Sequence, residues 1–191
     1  MKIIGIITRK SKSEEKHNID YIYSNISNMI YKCDVIPIGI VLNKNYKSSI
    51  DICDGIIFEG GDSFQRYDKE ALLYCYKKNI PTLGICLGMQ LMGSVFGGKI
   101  IDVENHKNIY HDVIIDKNSK LFNILKKEKI RVNSRHKSVL KNTSLKITSK
   151  SLDGYIESIE DSNKKFFIGI QWHPEDINQL KIFQKLVDST Y

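Results

Sequence analysis

The stretch Thr82-Leu83-Gly84-Ile85-Cys86-Leu87-Gly88-Met89-Gln90 decides how this chain is expected to fold. Thr82 to Ile85, entered through Pro81, has the length and composition of a buried strand, and helix-like sequence begins just after Cys86. Gly84 and Gly88 stand two residues to either side of the cysteine, small enough for strand and helix to approach without collision. A turn this sharp strains the backbone of its central residue and projects that side chain above the sheet.

Outward from this elbow, short Ile- and Val-rich runs alternate with helix-like segments, the pattern of βαβ units and a mostly parallel sheet. Upstream, strands are expected at Lys2 to Thr8, Val35 to Gly39 and Asp54 to Glu59, the last ending in Gly60 and Gly61. Helices are expected over Asp20 to Tyr31, with Ile22, Ile26, Met29 and Ile30 on one face, and from about Tyr67 to Lys78. Beyond Gly98 the pattern changes to strands of mixed alternation, Lys99 to Val103, Asp112 to Ile115, Lys129 to Val132, Leu145 to Ser149, Tyr155 to Ile159 and Phe166 to Gln171, so this half is expected to be partly antiparallel. A last helix, Ile177 to Val187, offers Leu180, Phe183, Leu186 and Val187 to the core.

The chain has 191 residues, 41% hydrophobic and 27% charged, which fits one domain spanning 1–191 with a sheet buried on both faces. Its apolar N-terminal run, Ile3 to Ile7, is too short for a signal-peptide core or a membrane span, so a cytoplasmic location and no membrane contact are expected. The net charge of +7 comes from scattered lysines without interleaved aromatics, which argues against nucleic acid as a partner. Four cysteines, Cys33, Cys53, Cys75 and Cys86, lack the C-x-x-C spacing of a metal or redox site.

Cys86 is the candidate nucleophile. At a helix N-terminus, unpaired backbone N–H groups favour the thiolate, and the Leu87 amide points where a tetrahedral oxyanion would form. Gly60 or Gly61, at a neighbouring strand end, is the candidate second donor. A glycine-flanked cysteine alone is also met as a packed small residue, so a base is needed. Gln171-Trp172-His173-Pro174-Glu175 follows a buried strand, and extended residues two apart point to the same side. His173 can then take the Cys86 proton while Glu175 orients the ring, a Cys-His-Glu triad. His17, His106, His111 and His136 are competing bases, but none has a carboxylate so constrained beside it.

With these residues in view, Gly84-Ile85-Cys86-Leu87-Gly88-Met89-Gln90 together with Gln171-Trp172-His173-Pro174-Glu175 resembles the class I glutamine amidotransferase superfamily. Val132-Asn133-Ser134-x-His136, Asp153-Gly154-x-x-Glu157 and Glu59-Gly60-Gly61-Asp62 resemble the branch containing γ-glutamyl-γ-aminobutyrate hydrolase. The resemblance implies an α/β fold: a three-layer, flavodoxin-like, mostly parallel central sheet with helices on both faces and a smaller, partly antiparallel sheet. It also implies that Cys86 forms a γ-glutamyl thioester, that Gly61 and Leu87 donate to the oxyanion, and that Gln90 and the main chain around Ser134 hold the ends of the glutamyl group. Asn133 and His136 are read as supports of that loop. Asn105-His106 and His111-Asp112-Val113 resemble histidine stretches of the branch and are read as structural or substrate-positioning. No metal or organic cofactor is required.

After Asp62 the branch's hydrolases usually carry a long acidic, proline-containing insertion, whereas here helix-like sequence begins near Tyr67. A more open cavity is expected. Arg9, Lys10 and Lys12 follow the first strand, and Arg135 and Lys137 flank His136. They are expected as a basic rim, with Arg9, Lys10 and Arg135 as contacts to an anionic leaving group such as a nucleotide phosphoramidate. The principal expectation is a hydrolase acting alone on a small γ-glutamyl substrate, with a homodimer left open. The alternative is a glutaminase subunit that passes ammonia to a synthase partner.

Overall fold

A computed structural model describes residues 2–104 and 106–190; Asn105, quoted above with His106, lies outside the described residues. The first half runs β1 (Ile3–Ile7), β2 (Arg9–Lys12), β3 (Asn18–Tyr21), α1 (Ser24–Tyr31), β4 (Ile36–Ile40), α2 (Tyr46–Asp51), β5 (Gly55–Phe58), α3 (Asp68–Lys77), β6 (Thr82–Ile85) and α4 (Leu87–Val95). The second half continues with β7 (Ile100–Asp102), β8 (Lys107–Ile115), α5 (Lys120–Leu125), β9 (Lys129–Arg135), β10 (Ser138–Leu140), β11 (Lys146–Ser151), β12 (Ile156–Glu160), β13 (Phe167–Ile170) and α6 (Leu180–Asp188).

The main sheet has the order β4-β1-β5-β6-β13-β12-β11-β8-β9, with β10 joined to β12 and β7. Pairings from β4 through β13 are parallel. From β13 onward they are antiparallel. The antiparallel part therefore shares an edge with the parallel part through β12 and β13, and the detached small sheet is the β2–β3 hairpin.

Period-two alternation sends successive side chains to opposite faces. Ile4, Ile6, Leu83, Ile85, Ile168 and Ile170 pack with Ile26 and Ile30 of α1 and Phe183 and Leu186 of α6. Ile7, Ile56, Phe58 and Phe167 pack with Ile50 of α2, Leu72 and Cys75 of α3 and Met89 of α4. The result is the three-layer α/β arrangement, with the carboxyl ends of β5, β6 and β13 on one edge.

Several segments differ from the sequence reading. The helix expected from Asp20 begins only at Ser24, because Asp20 lies in the hairpin and its carboxylate accepts from Lys10 Nζ at 3.1 Å. Helices α2 and α5 were not expected; each has six residues, too few to display a helical repeat, and each is held by buried side chains, Tyr46 and Ile50 in one and Leu121 in the other. Among the described residues, no helix is long and apolar enough to cross a membrane.

Candidate active site

Cys86 sits between β6 and α4 with φ 51° and ψ −104°, a strained conformation for a residue bearing a side chain. The flanking glycines are demanded by contact. A Cβ on Gly88 would stand 2.0 Å from the Phe58 carbonyl oxygen, and one on Gly84 would stand 2.7 Å from the Gly88 carbonyl carbon. The elbow is thus wedged against β5, which brings the Gly60–Gly61 turn beside the sulfur.

His173 and Glu175 follow β13, the strand next to β6. His173 Nδ1 lies 2.6 Å from Glu175 Oε1, leaving the other ring nitrogen for Cys86. Burial lowers the His173 pKa, but hydrogen bonds with Cys86 and Glu175 and their charges outweigh it and raise it to about 10. The imidazole therefore holds a proton across the neutral range. Asn133 locks the backbone here: its Oδ1 accepts from His173 N at 2.9 Å and its Nδ2 donates to His173 O at 3.1 Å.

Cys86, His173 and Glu175 open, with Gly60 and Gly61, into a cavity of about 150 Å³. Tyr23, Asn25, Asp62, Arg135 and Asp176 complete its wall. The chain leading into α1 and the first turn of α1 thus supply part of the wall through Tyr23 and Asn25. Tyr23 and Asn25 carried no sequence signal, because they belong to no motif and reach the site only through the sheet order.

Several expected residues lie elsewhere. Arg9, expected at the basic rim, is 2% exposed and lies under Gly61, donating to Asp68 Oδ2 and to the Glu59 carbonyl, each at 2.8 Å. Lys10 is on the hairpin, paired with Asp20. Of the three cations expected around a leaving group, Arg135 alone lines the cavity, and it is ion-paired with Asp176. The rim is corrected accordingly: a buried ion pair with Asp68 and the β2–β3 hairpin pairing with Asp20 remove its first two members.

Gln90, expected to hold the substrate, instead donates through Nε2 to the Ser138 carbonyl at 2.7 Å and to Gln171 Oε1 at 3.1 Å. Gln171 in turn directs its Nε2 at Cys86 Sγ, 3.6 Å away. This Gln90–Gln171–Cys86 relay was not foreseen, although both glutamines stand in the quoted motifs. Leu87 begins α4, placing its amide at the elbow. The Ser134 hydroxyl donates to the His106 carbonyl, and His136 packs beside the His106 ring.

The other thiols sit apart from the cavity. Burial pushes Cys33 and Cys53 up to about 11 and Cys75 higher still, which suppresses their nucleophilic form. A larger cleft of about 590 Å³ at Lys120, Lys181 and Lys185 contains none of the thiols.

The family model described as glutamine amidotransferase class-I matches residues 16–187. The chain is 41% identical over 126 residues to the GMP synthase [glutamine-hydrolyzing] of Lactobacillus johnsonii, a match covering 63% of this chain and 24% of the synthase. It therefore spans about a quarter of that relative's length. Protein NtpR of Enterococcus hirae is 29% identical over 219 residues, covering 92% of this chain and 91% of NtpR. The glutaminase domain of Trypanosoma brucei CTPS, solved with bound acivicin, shares the fold at a TM-score of 0.78 and 16% identity, covering 100% of this chain and 94% of that one.

Proposed function

The chain belongs to the class I glutamine amidotransferases, a family of cysteine-dependent amide hydrolases, and from that premise we propose that it cleaves γ-glutamyl amide bonds with Cys86 as nucleophile, His173 as proton carrier and Glu175 as the group orienting His173. The observation that carries this reading is the positive-φ Cys86 between the His173–Glu175 pair and the Gly60 turn.

In the proposed reaction Cys86 Sγ, its proton held by His173, attacks the γ-carbonyl carbon. The negative charge on oxygen is met by the Leu87 amide and an amide of the Gly60–Gly61 turn, fixed dipoles that need no reorganisation. The C–N bond breaks as His173 gives its proton to the departing nitrogen, leaving a γ-glutamyl thioester. Water then attacks the thioester, passing its proton to His173. Glutamate leaves, and the thiolate–imidazolium pair is restored.

A cavity of about 150 Å³ suits a glutamyl-sized group, so the leaving group would extend across the rim beside Arg135 and Asn25. An anionic leaving group would compete with Asp176 for Arg135. In the second reading the chain is a glutaminase subunit feeding ammonia to a synthase; its support is the resemblance to a GMP synthase of which this chain covers a quarter.

The test is to assay the purified chain alone on glutamine, γ-glutamyl-γ-aminobutyrate and an anionic γ-glutamyl amide, and to seek the thioester by mass spectrometry. Turnover without a partner, with the adduct on Cys86 and none in Cys86→Ala, is expected. Glutaminase activity only when a synthase is added favours the second reading. An adduct on Cys33, Cys53 or Cys75 removes Cys86 from its role.

A further inference from the structure

Outside the catalytic cavity, His106 just before β8, His111 on β8, His136 in the connection from β9 to β10 and Glu157 on β12 come together, with one ligand atom from each lying within 4.8 Å of all the others. Glu157 is wholly buried, and His106 and His136 are more than nine-tenths buried. No described group hydrogen-bonds His106 Nδ1, either ring nitrogen of His111 or either carboxylate oxygen of Glu157, while His136 meets the Ser138 backbone. Leaving buried polar atoms unpaired forfeits their hydrogen bonds to water without replacement, so a cluster of them calls for a shared partner.

We propose that these four residues form a closed metal site of the zinc class, with three imidazole nitrogens and one carboxylate oxygen as ligands. Glu157 Oε1 lies 3.6 Å from His111 Nε2 and 3.8 Å from His136 Nε2. A tetrahedral ion with bonds of about 2.1 Å separates its ligand atoms by roughly 3.4 Å, so these two pairs need only a few tenths of an ångström of inward movement, and every ligand atom already lies within 4.8 Å of the others. His106 has its Nε2 held by Asp153 Oδ2 at 2.7 Å, which leaves Nδ1 for the ion. A carboxylate behind a ligating imidazole fixes its tautomer and strengthens it as a ligand. Imidazole-rich donors select zinc-like ions over magnesium or calcium.

Four protein ligands leave no position for substrate, so the ion is structural and no step of the cysteine chemistry runs through it. This departs from the expectation of no metal and does not depend on the proposed hydrolase reading. Its effect would reach the site through the backbone. Ser134 donates its hydroxyl to the His106 carbonyl, and the Gln171 amide donates to the Glu157 carbonyl at 2.8 Å. The ion would thus tie the strand carrying Asn133 and Arg135, and the strand end leading to His173, to one point.

The experiment is metal analysis of untagged protein purified without chelator, followed by removal of metal and titration with Zn²⁺ and Co²⁺. One zinc per chain is expected, with intense visible bands of tetrahedral Co²⁺ and a melting temperature raised by about 5 °C or more by Zn²⁺. Asp153→Asn, at a half-exposed side chain, should leave the protein folded and weaken Zn²⁺ binding about 10–100-fold. Glu157→Gln should abolish the Co²⁺ bands. Folded wild-type protein that binds neither ion stoichiometrically, or binding unchanged in both variants, overturns the proposal.

Discussion

Gly60 lies against His173 so closely that a Cβ on it would stand 3.0 Å from His173 Cε1 and 3.6 Å from Cys86 Cβ. The missing side chain therefore leaves room for the imidazole in its position between Glu175 and the sulfur. Gly60→Ala should lower kcat/KM up to about 10-fold by displacing the ring a few tenths of an ångström, since misplacement of about 1 Å costs roughly 100-fold. The melting temperature should change little, because the contact is at the cavity wall and not in either core. Wild-type kcat/KM in a folded variant would show that Gly60 does not set the position of His173.

The His173–Glu175 contact of 2.6 Å makes a second, pH-dependent prediction. With its pKa raised to about 10, His173 remains protonated and able to donate to a leaving nitrogen until the pH passes that value. Activity should decline as pH rises through about 10, and Glu175→Gln should shift this limb downward by about one unit by removing a negative charge. The same shift stabilises the fold: a histidine raised above its unfolded value contributes fully below about 6.5 and loses the contribution as pH rises through about 10. Because Glu175 orients while His173 carries the proton, Glu175→Gln should lower turnover less than His173→Ala. Identical alkaline limbs in wild type and Glu175→Gln would remove the carboxylate from this role.

The strand Thr82 to Ile85 and the elbow after it were legible because every local signal agreed: apolar run, flanking glycines, then helix. The pairing of β13 with β6 was not written in either segment, yet it sets His173 beside Cys86. Charged side chains were the least legible. Arg9 and Arg135 look alike in sequence, but Arg9 meets Asp68, 59 residues away, beneath Gly61, whereas Arg135 reaches the cavity wall. Such pairings depend on tertiary contact and leave no periodic trace. The grouping of His111, His136 and Glu157 was hidden for the same reason, since β8, β12 and the connection from β9 to β10 contribute to it.

Glu59 gives the last prediction. It follows β5 wholly buried, with Oε2 accepting from the Tyr23 amide at 3.1 Å and Oε1 without a partner among the described residues. Burial raises its pKa to about 7; the Tyr23 amide and Arg9 oppose the rise, and the charge of Glu175 adds to it. Between about 4.5 and 7 the folded protein keeps a proton that the unfolded chain has released. Stability from this group is therefore fully present below about 4.5 and is lost as pH rises through about 7. Glu59→Gln, which keeps an uncharged acceptor for the Tyr23 amide, should remove that loss. Urea unfolding at pH 5 and pH 8 measures it: wild type should lose more stability between the two than the variant does, by on the order of 2 kcal/mol. Equal losses would mean that Glu59 ionises in the fold as it does in the unfolded chain.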